Sequence, residues 1–275
     1  MSIKNKPIAF IGGGHITEII LENLTTSKVV APENLIVSDP DKVRLEKLNQ
    51  KFSVQKTADN TEAVNWGDFV FINVRPQVVK EVVDELSLTP ILEEKVFVTV
   101  AAGIPMDKYY KLGKELPVVR AVPNPPSQIG LGIIAMIFNE FVSEIQKEEI
   151  LELFDSLGEV VLMKEEHINA ATALSSPASV LLFFSSLIDA GARIGMDREM
   201  SIKIVYQTIV GALAVWKQHQ VPVVELLDKT CTPGGISEES VLTLEKHGFQ
   251  AAISEAIQSA AIKAEQLGKK IKEER

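Results

Sequence analysis

Cysteine, excess positive charge and long uninterrupted apolar runs are all scarce in this sequence of 275 residues. Its single cysteine, Cys231, cannot form an internal disulfide, which is typical of proteins from reducing compartments. The formal net charge of -9 argues against nucleic-acid binding, because phosphate-binding surfaces need clustered Lys and Arg. The longest apolar stretch, PASVLLFFSSLIDAG, is broken by serines and by Asp189, and a membrane span needs about 20 apolar residues. Since the polar start MSIKNK is not typical of a signal peptide, we expect a soluble, cytoplasmic protein without nucleic-acid or membrane partners.

Recognisable catalytic and metal-binding clusters are also missing from the sequence. The four histidines are spread along the chain, with no Ser-His-Asp set and no cluster of metal ligands. A β-hydroxyacid dehydrogenase needs a lysine early in its helical domain, but between Glu166 and Ile202 the cations are Arg193 and Arg198. We therefore expect no metal site.

Apolar runs alternate with helical patterns in the first part of the chain. The runs PIAFIG, NLIVSD and FVFINV are apolar almost throughout, and each is followed by a helical pattern. Strands that are apolar on both faces and separated by helices indicate a parallel sheet that is covered on both sides. The sequence therefore predicts a doubly wound, Rossmann-type α/β domain over residues 1–164.

Helical patterns alone continue from there to the end of the chain. Residues 165–275 are rich in Ala, Leu, Ile and Ser, and no Gly/Ser-rich linker precedes them. So short a domain has too little material to cover its own apolar helices. We therefore expect an all-helical domain that dimerises, as a homodimer or a larger homo-oligomer.

A glycine turn follows the first predicted strand, in IAFIGGGHITEII at residues 8–20. A strand that breaks into glycines and restarts as a helix can bind a pyrophosphate, because backbone amides at the helix N-terminus face the anion. Gly12 and Gly14 match the first two fingerprint glycines, whereas Thr17 stands where the third is usual. The turn predicts a dinucleotide site.

The end of the second predicted strand, IVSDPDK, bears on which dinucleotide binds. A carboxylate there, such as Asp39, can accept hydrogen bonds from the adenosine ribose and so favours NADH. Ser38, Lys42 and Arg44 can instead bind the 2′-phosphate of NADPH. From the residues alone, the choice between NADH and NADPH stays open.

Other strand ends and one helical turn complete the set of candidate sites. The segments NVRPQVV (73–79), VAAGIP (100–105) and VPNPPSQIG (122–130) follow strands whose carboxyl ends meet at one sheet edge, where ligands of such sheets bind. In DKTCTPGGIS (228–237), a Gly-Gly bend beside two hydroxyls can bind a small carboxylate. Ser237 is also the predicted N-cap of the following helix.

Six motifs, in order, resemble those of the pyrroline-5-carboxylate reductase family over about residues 7–267. They are IGGGHIT, NVRPQVV, VAAGIP, VVRAVPNPPSQIGLG, ATALSSPAS and DKTCTPGGIS. The resemblance implies an NADPH- or NADH-dependent oxidoreductase of proline biosynthesis, with a Rossmann-type domain followed by a helical dimerisation domain. Its reaction is hydride transfer to the C=N carbon of pyrroline-5-carboxylate, a cyclic imino acid, to give proline.

The resemblance also implies roles for individual residues. The implied cofactor-binding residues are Gly12, Gly14, His15, Ile16, Ser38, Asp39, Asn60, Val74, Arg75, Pro76, Ala101, Ala102 and Gly103. The implied substrate-binding residues are Thr232, Gly234, Gly235 and Ser237, and the implied catalytic residues are Thr172 and Ser175.

Departures from the family pattern leave two further hypotheses open. Thr17 replaces a small residue of the family, and LSSPAS is about two residues shorter than the family's glycine-rich LSGSGPAY. Because that loop precedes the helix beside the substrate ring, a different cyclic imino acid is one alternative. A dinucleotide-binding accessory protein without turnover is another.

Overall fold

The computed structural model describes residues 3–90, 94–101 and 103–273, and its side chains up to residue 266. Among these residues, eight strands form one sheet in the order β3-β2-β1-β4-β5-β6-β7-β8. The strands are β1 (Ile8–Ile11), β2 (Leu35–Ser38), β3 (Gln55–Thr57), β4 (Phe69–Ile72), β5 (Val96–Thr99), β6 (Val118–Pro123), β7 (Gly132–Phe138) and β8 (Gly158–Leu162). The predicted Rossmann-type doubly wound sheet is thereby confirmed.

One feature of the predicted sheet needs correction, because the sheet is mixed rather than wholly parallel. β7 pairs with β6 in the antiparallel direction, and β8 runs parallel to β7. The connection from β6 to β7 contains only a short 3-10 turn, Pro125–Ile129. A parallel pair needs a crossover of about a dozen residues, so this short connection requires an antiparallel pair.

Helices cover the sheet and then continue alone. The helices are α1 (His15–Thr26), α2 (Lys42–Phe52), α3 (Asn60–Trp66), α4 (Val79–Leu86), α5 (Glu144–Asp155), α6 (Ile168–Leu174), α7 (Pro177–Arg193), α8 (Arg198–His219), α9 (Val223–Thr230), α10 (Ile236–Lys246) and α11 (Phe249–Glu273). The Asp41 carboxylate caps α2 by accepting from the N–H groups of Val43 and Arg44. This cap fixes the first turn of α2 beside the end of β2.

Two apolar clusters fill the space on the two faces of the sheet. Phe10, Phe71 and Phe154 lie in one cluster, and Ile72 and Tyr109 lie in the other. All four residues of β1, β2, β4 and β5 are buried. Burial on both faces explains the uninterrupted apolar runs in the sequence.

The chain divides into two compact units. One comprises Met1–Ser175 with Ala260–Arg275, and the other comprises Ser176–Ser259. The first contains the sheet and α6, and the second contains α7 to α10. The predicted boundary between residues 164 and 165 stays a prediction.

The helical unit exposes many apolar side chains. Leu181, Leu182, Tyr206, Val224 and Ile236 are each more than half exposed in the single chain. Exposed apolar area on this scale marks a surface that another chain covers.

By length and composition, the segment Glu165–Arg193 could cross a membrane. The apolar run PASVLLFFSSLIDAG, taken by itself, did not predict such a segment. This is weak evidence for a membrane span, because Ser175 and Ser176 separate α6 from α7. A dimerisation surface has the same composition.

Candidate cofactor cleft and substrate seat

A cleft of about 1070 Å³ lies in the sheet unit, at the carboxyl ends of β1, β2 and β4. Eight of the predicted cofactor-binding residues line it: Gly12, Gly14, His15, Ser38, Asp39, Asn60, Val74 and Arg75. The cleft is large enough for a dinucleotide, since small-molecule sites span about 300–1,000 Å³. The structure thus brings together residues that the sequence spreads over more than sixty positions.

The glycine turn at the centre of the cleft has a backbone that other residues rarely adopt. Gly12 has a φ of 99°, and its N–H donates to the Ser38 carbonyl of β2 at 2.8 Å. A Cβ at this position would lie 2.8 Å from the backbone oxygen of Asn73. Both the dihedral angle and the space therefore require glycine at position 12.

Free backbone amides follow directly after this turn. Gly14 is the N-cap of α1, and within the described part of the chain the N–H groups of Gly14, His15 and Ile16 make no hydrogen bond. Such groups at the positive end of a helix are a binding site for an anion. A pyrophosphate is an anion of the kind that such amides bind.

The carboxylate of Asp39 is buried, and its hydrogen-bonding capacity is filled by the protein. Its Oδ2 accepts from the Gly13 N–H at 2.8 Å, and its Oδ1 accepts from the Asp41 N–H at 2.9 Å. The Arg44 guanidinium donates to both oxygens, at 2.9 and 3.1 Å. An ionised carboxylate has about four acceptor positions, so a ribose hydroxyl can bind Asp39 only by replacing one of these partners.

A second polar chain closes the neighbouring wall of the cleft. The Ser38 hydroxyl donates to the Asn60 side-chain oxygen, and Asn60 Nδ2 donates to Glu85 Oε2 at 2.9 Å. Ser38 itself is fully buried. These contacts fix Ser38 and Asn60, two of the residues that the family resemblance implies for cofactor binding.

Four of the other predicted cofactor residues are described by the structure and are not part of the lining of this cleft. Ile16 is in the first turn of α1, and Pro76 starts the 3-10 turn Pro76–Val78. Ala101 is buried and donates its N–H to Thr99 Oγ1, while Gly103 has a φ of 77°. Ala102 falls outside the described residues. Their contact with a cofactor stays a prediction.

The two predicted catalytic hydroxyls lie at the end of α6, in the sheet unit. Thr172 Oγ1 donates to the Ile168 carbonyl at 2.7 Å, and Ser175 Oγ donates to the Thr172 carbonyl at 3.5 Å. The Ser175 carbonyl accepts from Asn124 Nδ2 at 2.9 Å. Because Asn124 directly follows β6, this bond ties the end of α6 to the carboxyl edge of the sheet.

The Pro-Gly-Gly bend connects α9 to α10 in the helical unit. Here the structure corrects one prediction, because the N-cap of α10 is Gly235 and Ser237 lies within the first turn. The Gly235 N–H donates to the Thr232 carbonyl at 2.9 Å. The Gly234 N–H donates to the carboxylate of Glu238 at 2.6 Å. The bend that is predicted to bind the substrate carboxylate therefore binds a carboxylate of its own chain in this structure.

Sequence reasoning missed three residues that shape the cleft. Arg44 was considered only as a phosphate ligand, although its position in the first turn of α2 also lets it reach back to Asp39. In the sequence, the only indication of a role for Asn73 is that a polar residue directly follows the apolar run FVFI. Thr17 appeared as a missing glycine rather than as a hydrogen-bonding residue.

Comparison with known proteins extends over nearly the whole chain. Residues 165–267 match the family model described as pyrroline-5-carboxylate reductase dimerisation. Residues 7–103 match the model described as NADP oxidoreductase, coenzyme F420-dependent. Together, the two matches cover the glycine turn and the Pro-Gly-Gly bend.

Individual relatives agree with the family models. The pyrroline-5-carboxylate reductase of Synechocystis is 32% identical, over 96% of this chain and 98% of its own. The solved Coxiella burnetii pyrroline-5-carboxylate reductase has 28% identity and a TM-score of 0.87, covering 96% of this chain and 98% of its own. The Plasmodium falciparum pyrroline carboxylate reductase, solved with NADP bound, has 29% identity and a TM-score of 0.84, covering 96% and 99%. The chain therefore belongs to the pyrroline-5-carboxylate reductase family.

Proposed function

We propose that this protein reduces the C=N bond of pyrroline-5-carboxylate with NADPH or NADH and forms proline. The observation that carries the proposal is the glycine turn, where Gly14 and His15 bring free amides to a dinucleotide-sized cleft, in a chain that is similar to these reductases over 96% of its length. In the balanced reaction, the ring nitrogen takes its proton from solvent before the substrate binds, and the imine carbon then gains a hydride from the reduced cofactor, which is thereby oxidised. We place this enzyme in the cytoplasm, as a homo-oligomer.

The residues of the cleft fit the dinucleotide in distinct roles. The amides of Gly14, His15 and Ile16 bind the pyrophosphate. Val74 and Arg75 follow β4 and line the same cleft, where they would contact the bound cofactor. The bound nicotinamide supplies the hydride, and the protein supplies orientation and exclusion of water.

The hydroxyl of Thr172 acts as a hydrogen-bond acceptor toward the substrate. Its single proton is already donated to the Ile168 carbonyl, so only its lone pairs remain for another partner. The protonated imine carries an N–H donor and is the more electrophilic form. Thr172 therefore selects and orients this form, and the ring nitrogen retains its proton in the product.

The substrate carboxylate binds at the Pro-Gly-Gly bend. Glu238 already places a carboxylate on the Gly234 N–H, which supports the affinity of this amide for such a group. The substrate replaces Glu238 there and gains the hydroxyls of Thr232 and Ser237. These neutral donors bind the carboxylate without a lysine or arginine.

We expect the purified protein to oxidise NADPH only when pyrroline-5-carboxylate is present, with proline as the product. Thr172→Val, which removes the acceptor, should lower kcat by about tenfold, whereas Thr172→Ser should stay within about twofold of wild type. Initial rates from the absorbance of the reduced cofactor, with chromatography of proline, measure both effects. If the protein reduces a six-membered cyclic imino acid and not pyrroline-5-carboxylate, the substrate assignment changes to that larger ring. The short link Ser175–Ser176 between α6 and α7 is the feature that supports this alternative. Cofactor binding without any turnover would favour an accessory protein.

We expect NADPH to be preferred over NADH. Asp39 is saturated by protein partners, while Arg44 and Lys47 bring positive charge to the same wall of the cleft. Arg44→Ala should lower the ratio of kcat/KM for NADPH to that for NADH by about tenfold, the effect of one charge-assisted hydrogen bond. Arg44→Lys keeps the charge and serves as the control. If both variants retain the wild-type ratio, the 2′-phosphate lies elsewhere.

A further inference from the structure

The side chain of Thr17 fills the place where the dinucleotide fingerprint has its third glycine. Thr17 is fully buried, and its hydroxyl donates to the Gly12 carbonyl at 2.5 Å. Since the turn is not helical, no backbone N–H reaches this carbonyl in the described part of the chain. The hydroxyl thus satisfies a partly buried carbonyl that has no backbone partner among the described residues.

Asn73 holds the same hydroxyl from the opposite side. Its Nδ2 donates to Thr17 Oγ1 at 3.2 Å, and its backbone N–H donates to the Ile11 carbonyl at 2.9 Å. The side chain is buried, and its Oδ1 has no hydrogen-bond partner among the residues that the structure describes. An amide with one end unpaired contributes little net stability, because the desolvation of Oδ1 is not compensated. The placement of Asn73 therefore suggests a role in function.

The two side chains connect three elements around the glycine turn. Thr17 belongs to α1, Asn73 follows β4, and Gly12 follows β1. The Gly12 N–H is already held by Ser38 at the end of β2. With the Thr17 hydroxyl on its carbonyl, Gly12 is fixed at both polar groups, and so is the direction of the amides that follow.

We propose that Thr17 and Asn73 are positioning residues for the cofactor, a hydrogen-bonded pair that orients the glycine turn toward the pyrophosphate. Where the fingerprint has glycine, close packing of helix on strand sets this geometry. Here threonine stands in place of that glycine, and the hydrogen bonds of its hydroxyl and of the Asn73 amide take over this role. The inference rests on the proposed binding of NADPH to the same turn.

The test is NADPH affinity in three single variants and one double variant, measured by fluorescence titration and by steady-state kinetics. Thr17→Val has the same shape as threonine but lacks the hydroxyl, and we expect it to raise the Kd for NADPH by about tenfold. Thr17→Ser keeps the hydroxyl and should stay within about twofold of wild type. Asn73→Ala should raise the Kd in the same direction, and the double variant Thr17→Val, Asn73→Ala should be no weaker than Thr17→Val alone, since both changes break one unit.

Several outcomes separate this inference from the proposed function. In all variants, kcat at saturating NADPH should stay within about threefold of wild type, which distinguishes weaker cofactor binding from general misfolding. Equal Kd values for Thr17→Val and Thr17→Ser would overturn the positioning role while leaving the reductase intact. Additive effects of the two substitutions would also overturn it, because a linked pair cannot act as two independent sites. Absence of NADPH binding by the wild-type protein would instead contradict the proposed function.

Discussion

Gly12→Ala is expected to abolish measurable NADPH binding and to lower the free energy of unfolding by about 2–4 kcal/mol. An alanine would have to keep a φ of 99°, which its Cβ disfavours, and that Cβ would lie 2.8 Å from the Asn73 backbone oxygen and 3.0 Å from Val74 Cγ1. The turn must open to relieve these contacts. Opening moves the amides at the start of α1 away from the pyrophosphate, so binding suffers more than folding.

Gly14→Ala is the matched control for this experiment. Gly14 has a φ of -72°, and a Cβ at this position would meet no atom of the described part of the chain within 4 Å. The variant should therefore unfold at nearly the same urea concentration as wild type. Any loss of NADPH affinity in it reports contact with the cofactor rather than a displaced turn. Wild-type NADPH affinity in Gly12→Ala would contradict the assignment of this turn to the pyrophosphate.

The sequence predicts the glycine turn well because its signals are local. The apolar run Ile8–Ile11, the break at Gly12 and the start of α1 at His15 are encoded within a few residues, and the structure has all three. The direction of β7 was missed because strand composition carries no information about pairing. The length of the connection Pro125–Ile129 was the available clue.

The electrostatic state of the cleft was much harder to predict. Asp39 was recognised as a carboxylate at a strand end, but its saturation depends on where Gly13, Asp41 and Arg44 direct their donors. Likewise, the glycines of the sequence indicate the Pro-Gly-Gly bend. The hydrogen bond from the Gly234 N–H to the Glu238 carboxylate, however, forms only because the first turn of α10 brings Glu238 next to Gly234. Composition and spacing locate a site, and hydrogen-bond partners decide what it can still bind.

The second large predicted effect is on the free energy of unfolding, and it concerns the ion pair of the buried residue Arg120. Arg120 on β6 is only 3% exposed and donates from Nη1 to Glu165 Oε1 at 2.9 Å. The same Glu165 oxygen accepts the Met106 N–H at 2.8 Å. Beside them, Tyr109 and Thr99 share a 2.6 Å hydrogen bond, and burial raises the pKa of the Tyr109 phenol to about 12. Tyr109 therefore stays neutral, and Glu165 is the only carboxylate that pairs with Arg120 among the described residues.

Glu165→Ala should lower the free energy of unfolding by about 2–3 kcal/mol, because it leaves the Arg120 guanidinium buried without a counter-charge. The loss stays below that of a fully buried pair, since the Glu165 side chain is 41% exposed and water partly compensates. Urea unfolding followed by circular dichroism measures the change. Glu165→Gln, which keeps an acceptor for the Met106 N–H, should lose about half as much.

The double variant Arg120→Met, Glu165→Leu decides whether charge or packing carries this effect. Replacing both partners by apolar residues of similar volume removes the desolvation cost together with the attraction, so stability should return to within about 1 kcal/mol of wild type. The loop between β5 and Met106 would then lack only the bond from the Met106 N–H, a contribution of about 1 kcal/mol. A double variant as unstable as Glu165→Ala would mean that Glu165 acts by holding Met106 and not by compensating Arg120. Recovery of stability would assign the role of the pair to charge, since the two apolar side chains cannot restore the hydrogen bond to Met106.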